Sequence, residues 1–225
     1  MKPLSSILKT FPATKVIDST IDYSKYISLD LSVANQELVE NPSENSADFE
    51  EFIANYLKKN NAKVAFGGYI EGRNIYQRSP IFRNGQYPER NIHIGLDLWI
   101  EAGTPVLAAL DGKIHSFKNN AGLGDYGPTI ILEHEIENQK FYTLYGHLSL
   151  ESIEEISVGQ FFKKGEYLAS IGNSEVNGDY APHLHFQIIK NIEGYWGDYP
   201  GVCNTNDLNF YIENCPDPNL LLKIT

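Results

Sequence analysis

NIHIGLDLWI, residues 91–100, alternates strictly between apolar and other residues. Ile92, Ile94, Leu96, Leu98 and Ile100 fall on one parity, and His93, Gly95, Asp97 and Trp99 on the other. A period of two is the period of a β-strand, whose successive side chains point to opposite faces. One face of this segment is therefore expected in a core, while the other displays His93 and Asp97. In a straight strand their Cα atoms would stand about 13 Å apart, at a rise of about 3.3 Å per residue. Ligand bonds to a metal are only about 2.0 to 2.2 Å long, so both can reach one ion only if the chain bends between them. Gly95 is the residue that permits the bend.

Outward from this segment the text keeps the same character. PVLAAL (105–110), GKIHSF (112–117), TIILEHE (129–135), KFYTLYGHL (140–148), QFFKKGEYLASIG (160–172) and HLHFQIIK (183–190) are short β-branched or aromatic runs separated by Gly, Asn, Asp and Pro. Short strands at regular spacing with turn signals predict a mainly β fold, an antiparallel open β-sandwich or barrel. Upstream, SADFEEFIANYLKK (46–59) changes period. Phe49, Phe52, Ile53, Tyr56 and Leu57 recur at helical spacing, which predicts an amphipathic N-terminal helix with Ser46 as its cap and Asn60-Asn61 at its end. That stripe reads as packing surface. The expected organisation is an N-terminal extension over 1–63, a β-domain over 64–200 and a polar tail over 201–225.

The 225 residues carry a formal charge of −11 with no basic stripe, so nucleic acid is not an expected partner. No apolar run approaches the roughly 20 residues of a membrane span. MKPLSSILKTFPATK has no continuous apolar stretch or small-residue cleavage site of the secretory kind, so the default expectation is a cytoplasmic protein, unless it is exported by another route. Two cysteines, Cys203 and Cys215, are too few for a disulfide scaffold or a zinc site of their own and are expected as free thiols.

Six histidines are present. His183 and His185, at i and i+2 of a strand, stand side by side on one face, with Leu184 and Phe186 on the other. His147 closes the run LYGHLS, where Tyr145 shares its face if the strand continues. His115 and His134 lie in strands without a partner nearby in sequence and are read as structural. Two histidines and one carboxylate suit a catalytic zinc, which keeps three protein ligands and an open position for water. Two further histidines can move that water's proton and support an oxyanion. Spacing alone does not say which of His183 and His185 is the ligand.

HIGLD, YGHLS and PHLHFQ, in this order, resemble the three signatures of the lysostaphin/LytM-type zinc metallopeptidases. AGTPVLAALDGKI and VGQFFKKGEYLASIG are similar to the strands that connect them in that family, and the likeness covers about residues 85–190. It implies the duplicated hybrid motif fold and one zinc per chain held by His93, Asp97 and His185. It also implies His147 and His183 as the catalytic pair, with Tyr87 beside the tetrahedral intermediate. The implied activity is hydrolysis of a peptide bond in peptidoglycan or in muropeptide-like, Gly-rich peptides, and the implied partner is a peptide or a peptidoglycan fragment. The alternative is a non-catalytic member that binds and regulates a cell-wall hydrolase. A biotinyl or lipoyl carrier sandwich shares some of the glycine pattern, but it presents an acceptor lysine on an exposed hairpin; no such Lys-centred motif lies between the two halves here, and the histidines would be left unexplained. A further expectation is partial latency imposed by the N-terminal region, relieved by deleting residues 1–60.

Overall fold

The computed structural model describes residues 2–36, 38, 45–83, 85 and 88–225. Along the chain the strands are β1 Tyr26–Ser28, β2 Val64–Gly67, β3 Glu71–Gly72, β4 Ile92–His93, β5 Leu96–Trp99, β6 Pro105–Leu107 and β7 Gly112–Asn120. They continue as β8 Gly127–Ile136, β9 Gln139–Gly146, β10 Phe161–Phe162, β11 Tyr167–Ser170, β12 His183–Ile189 and β13 Val202–Cys203. Eight of them form one sheet in the order β1-β2-β5-β12-β9-β8-β7-β10. β6 and β11 form a small second sheet, and β13, β4 and β3 a third. The fold is mainly β and antiparallel, and the large sheet stays open, with β1 and β10 at its edges.

Alternation sorts the two faces. Leu96 and Leu98 of β5, with Leu184, Phe186 and Ile188 of β12, enter the main core. That core is closed by Val106, Ala108, Leu168 and Ala169 from the small sheet and the segments beside it. The opposite parity, Asp97 and Trp99 on β5 and His183, His185 and Gln187 on β12, faces the other way, yet it is also buried. Two lesser clusters cover that face. Ile92, Ile94, Leu144 and Tyr199 pack on one side of the histidines, and Leu31, Phe49, Ile53 and Trp99 on the other.

The helix Ser46–Lys59 supplies part of this cover, burying Phe49 and Ile53. Its cap is Asn45, where Ser46 was expected: the Asn45 side chain accepts from the Asp48 amide at 2.9 Å. Ser46 is instead the first helical residue, and its hydroxyl bonds Asp179. The helix ends at Asn60, and Asn61 takes a left-handed φ of 51°.

The segments outside the β-domain are integral to the core. Leu4, Leu8, Val16 and Ile17 from the start of the chain share the main cluster with Leu221, Leu222 and Ile224 from its end. β1 pairs in parallel with β2, against the antiparallel habit of the rest of the sheet. Cys203 and Cys215 are free and buried. No helix among the described residues is long and apolar enough to cross a membrane.

Candidate metal centre

Register brings the site together. His185 lies opposite Asp97 on β5 and opposite Gly146 on β9, and Asp97 lies opposite Gly67 on β2. The chain bends between β4 and β5 at Ile94-Gly95, as the reach argument requires. Gly95 has no unusual φ, however; its contribution is space. A Cβ there would stand 2.3 Å from Cε1 and 2.5 Å from Nε2 of His185.

His93, Asp97 and His185 converge, with one ligand atom of each within 4.8 Å of the others. Nε2 of His93 is 2.8 Å from Nδ1 of His185, which is 3.1 Å from Oδ1 of Asp97, and the third edge of the triangle is 3.3 Å. Ligands 2.0 to 2.2 Å from a tetrahedral ion sit roughly 3.3 to 3.6 Å apart, so a small outward rotation of the rings would seat one.

The donor set also suits a cation. His93 Nδ1 faces the Gly68 carbonyl at 2.8 Å and must donate to it. The Gln187 amide donates to Pro200 O and to Cys215 Sγ, so its Oε1, 2.9 Å from His185 Nε2, accepts from that ring. Both imidazoles are thereby left with lone pairs aimed at each other and at a carboxylate. Three acceptors facing one point without a proton repel, and a metal ion bound between them would relieve that repulsion. Burial, aided by the nearby Arg73 guanidinium, pushes His93 down to about 4, so the ring is neutral and able to ligate at pH 7. Burial alone would raise the Asp97 carboxyl, but His93 and Arg73 outweigh it and hold the group well below the usual carboxylate range.

His147 and His183 stand together beside this triangle, ring centroids 4.2 Å apart. Each donates Nδ1–H to a backbone carbonyl at 2.8 Å, Asn177 O for His147 and Ala181 O for His183. Both therefore keep Nε2 as an acceptor, and Nε2 of His183 is 3.9 Å from Asp97 Oδ1. Burial depresses both, His147 the further, because His183 and His185 lie close by. His183 also stacks on Trp99 at 5.8 Å. Tyr145 does not share the face of His147. β9 ends at Gly146, and His147 has a φ of 62°, which swings its ring to the site while the Tyr145 hydroxyl accepts from the Ala109 amide in the core.

Tyr87 lies outside the described residues. His115 and His134 are remote from the triangle: His115 packs between Tyr142 and Trp196, and His134 is buried between Asp111 O and Thr143 Oγ1. Among the described residues, several at the site were not singled out from the sequence, Gln187, Tyr126 and Arg73 among them. Gln187 continues the parity of His183 and His185 and was within reach of that pattern. Tyr126, with Oη 3.3 Å from His185 Nε2, and Arg73, with Nη1 2.6 Å from Asp97 Oδ2, come from loops with no periodic signal.

A cleft opens at these side chains, and its lining includes Leu31, Phe49, Ile75, Tyr76, Phe82, Tyr195, Asp198 and Tyr199.

Residues 91–195 match the model for Peptidase family M23. A protein of Haemophilus influenzae named an uncharacterized metalloprotease is 32% identical over 129 residues, 56% of this chain and 25% of its own length. A Vibrio cholerae protein, the peptidoglycan DD-endopeptidase ShyA, is 31% identical over 98 residues, 43% of this chain and 20% of its own. The chain thus spans a quarter or less of the length of these two curated relatives. Among solved structures, the catalytic domain of the antimicrobial peptidase lysostaphin from Staphylococcus simulans aligns at 26% identity and a TM-score of 0.39, over 75% of this chain and 98% of that domain.

Proposed function

We propose that this chain, whose residues 91–195 match the model for Peptidase family M23, is a zinc-dependent endopeptidase acting on peptidoglycan-derived peptides. The observation that carries the reading is the buried triangle of His93 Nε2, His185 Nδ1 and Asp97 Oδ1, whose far nitrogens are already committed to acceptors. Bound there, zinc would polarise the scissile carbonyl and acidify a water. The protein's part is to hold and move protons around that point. Nε2 of His183 and of His147 take up the proton of the attacking water and return it to the leaving amine. Once protonated, either Nε2–H supports the oxyanion as it develops. Tyr87, by the motif resemblance, assists there. Depressed pKa values keep both rings unprotonated, and so available as bases, at neutral pH.

The cleft over the sheet face suits an extended peptide whose carbonyl lies at the triangle while its ends run out of the cleft. Its lining mixes apolar and aromatic side chains with Arg90, Asp125 and Asp198, and it is the motif resemblance that points to glycine bridges or stem peptides as the substrate class. With a surface of net charge −11 and no basic stripe, released fragments are better substrates than an intact anionic wall.

Elemental analysis of the purified chain, paired with incubation on oligoglycine and on muropeptides, tests the reading. About one zinc per chain and cleavage of either peptide are expected. His185→Ala should lose most of the metal and all of the cleavage. Full zinc occupancy in that variant would remove His185 from the ligand set. Full occupancy in the native chain with no hydrolysis would favour a domain that binds and regulates another hydrolase.

A further inference from the structure

Asp97 is gripped from behind by a residue outside the matched motifs. Arg73 follows β3, which pairs with β4 so that Glu71 lies opposite His93, and the Arg73 amide donates to Asn91 O at 2.8 Å. The backbone pairing thus delivers a guanidinium to the carboxylate 24 residues further along. Nη1 of Arg73 meets Asp97 Oδ2 at 2.6 Å, and its Nε meets Glu71 Oε2 at 2.5 Å. Glu71 is itself fixed, since its Oε1 accepts from the Leu31 amide at 3.1 Å. The central carbon of the guanidinium lies over Trp99, 5.5 Å from the ring centre. Gly68 makes the room: a Cβ on it would come within 1.8 Å of Nη2. The pair is almost wholly buried, with side-chain exposures of 4% and 2%.

A carboxylate can bind a metal ion through one oxygen or through both. Here the two oxygens of Asp97 have different surroundings. Oδ1 faces His93 and His185, while Oδ2 is engaged in a short, charged hydrogen bond to Arg73. We infer that Arg73, anchored by Glu71, is a positioning residue that restricts Asp97 to a single oxygen donor and so leaves one position of the metal free for water or substrate. This rests on the metal-site reading above. The physical reason is that chelation through Oδ2 would require breaking a buried ion pair and stranding the guanidinium. Groups hydrogen-bonded to metal ligands commonly set their orientation in this way.

The experiment loads the metal-free 225-residue chain with Co(II), whose visible absorption is intense in four-coordinate sites and weak at higher coordination. Native protein, Arg73→Gln and Arg73→Lys are compared at equal metal content, with near-ultraviolet circular dichroism as the check on folding. The native chain should give intense bands at about one Co(II) per chain. Arg73→Gln should bind the same amount with clearly weaker bands, because Asp97 is then free to chelate. Arg73→Lys keeps the charge and the folded state but cannot bridge Glu71 and Asp97 at once, so its bands should fall between. If Arg73→Gln does not fold, the Lys variant decides alone: weaker bands at full loading support the inference, and a native spectrum overturns it. Native intensity in both folded variants would leave Arg73 as a buried counter-charge and nothing more. Failure of the native chain to bind Co(II) would instead count against the metal site itself.

Discussion

A Cβ on Gly95 would meet the His185 ring at 2.3 Å, and that contact separates two roles that glycine can play. Its backbone lies in a region open to any residue, so Gly95→Ala carries no conformational strain and acts only by pushing the imidazole away from Gln187 and Asp97. The variant is expected to keep its fold and lose most of its zinc. A melting curve close to native with about one zinc retained would show that the ring has room to shift. The adjacent pair behaves differently. His147→Ala and His183→Ala leave the triangle intact and remove an Nε2 acceptor, so each should hold its metal yet lose about 100- to 10,000-fold in turnover. Metal loss in either would place that residue among the ligands, and full activity in both would leave the chemistry without a base. Most of this site was legible in residue types and order, because period two places His93, Asp97, His183 and His185 on faces that a sheet can oppose. Arg73 and Tyr126 were not legible: each reaches the site from a loop, and only the pairing of β3 with β4 and the path of the chain into β8 bring them there.

At the scale of strands, β8 carries a histidine that has nothing to do with metal. His134 is wedged between β7 and β9, donating Nδ1–H to Asp111 O at 2.8 Å with Nε2 2.7 Å from Thr143 Oγ1. Gly112 opposite leaves the space for it, since a Cβ there would stand 2.6 Å from the ring. Burial pushes its pKa down to about 4, whereas in the unfolded chain it is near 6.5. The unfolded state therefore binds the extra proton first as pH falls. The stabilisation from a neutral His134 is full above about pH 6.5 and drains away down to about pH 4, by on the order of 3 kcal/mol. Urea unfolding of metal-free protein at pH 7 and pH 5 should show native stability falling more steeply than that of His134→Gln. Equal slopes would mean that the ring is protonated and accommodated in the folded state. The strands themselves were predictable because alternation is a local property. The parallel pairing of β1 with β2 and the short strands flanking residue 94 depend on partners far along the chain, which no local period encodes.

Across the whole molecule, the terminal segments and the cluster of His93, Asp97 and His185 form one packed body. Leu4, Leu8, Val16 and Ile17 are within the main core, Leu29 and Leu31 lie under the helix Ser46–Lys59, and β1 covers the edge of β2. The same stretch supplies Leu31 and Phe49 to the cleft wall, and the Leu31 amide that steadies Glu71. A segment that walls a cleft can restrict access to it, which is the basis for expecting latency. It cannot be removed cleanly, however. Full burial of each large apolar side chain is worth about 1.5 to 3 kcal/mol, and whole domains are stable by only about 5 to 15 kcal/mol. Deleting residues 1–60 removes more such side chains than that margin covers and exposes β2 as an unpaired edge. The truncated chain is expected to show no cooperative melting transition and to aggregate, with turnover lost along with the fold. A cooperative melt in the truncation, with zinc at the native level and faster cleavage of oligoglycine or muropeptides, would instead make the N-terminal segment a removable cover and overturn this prediction.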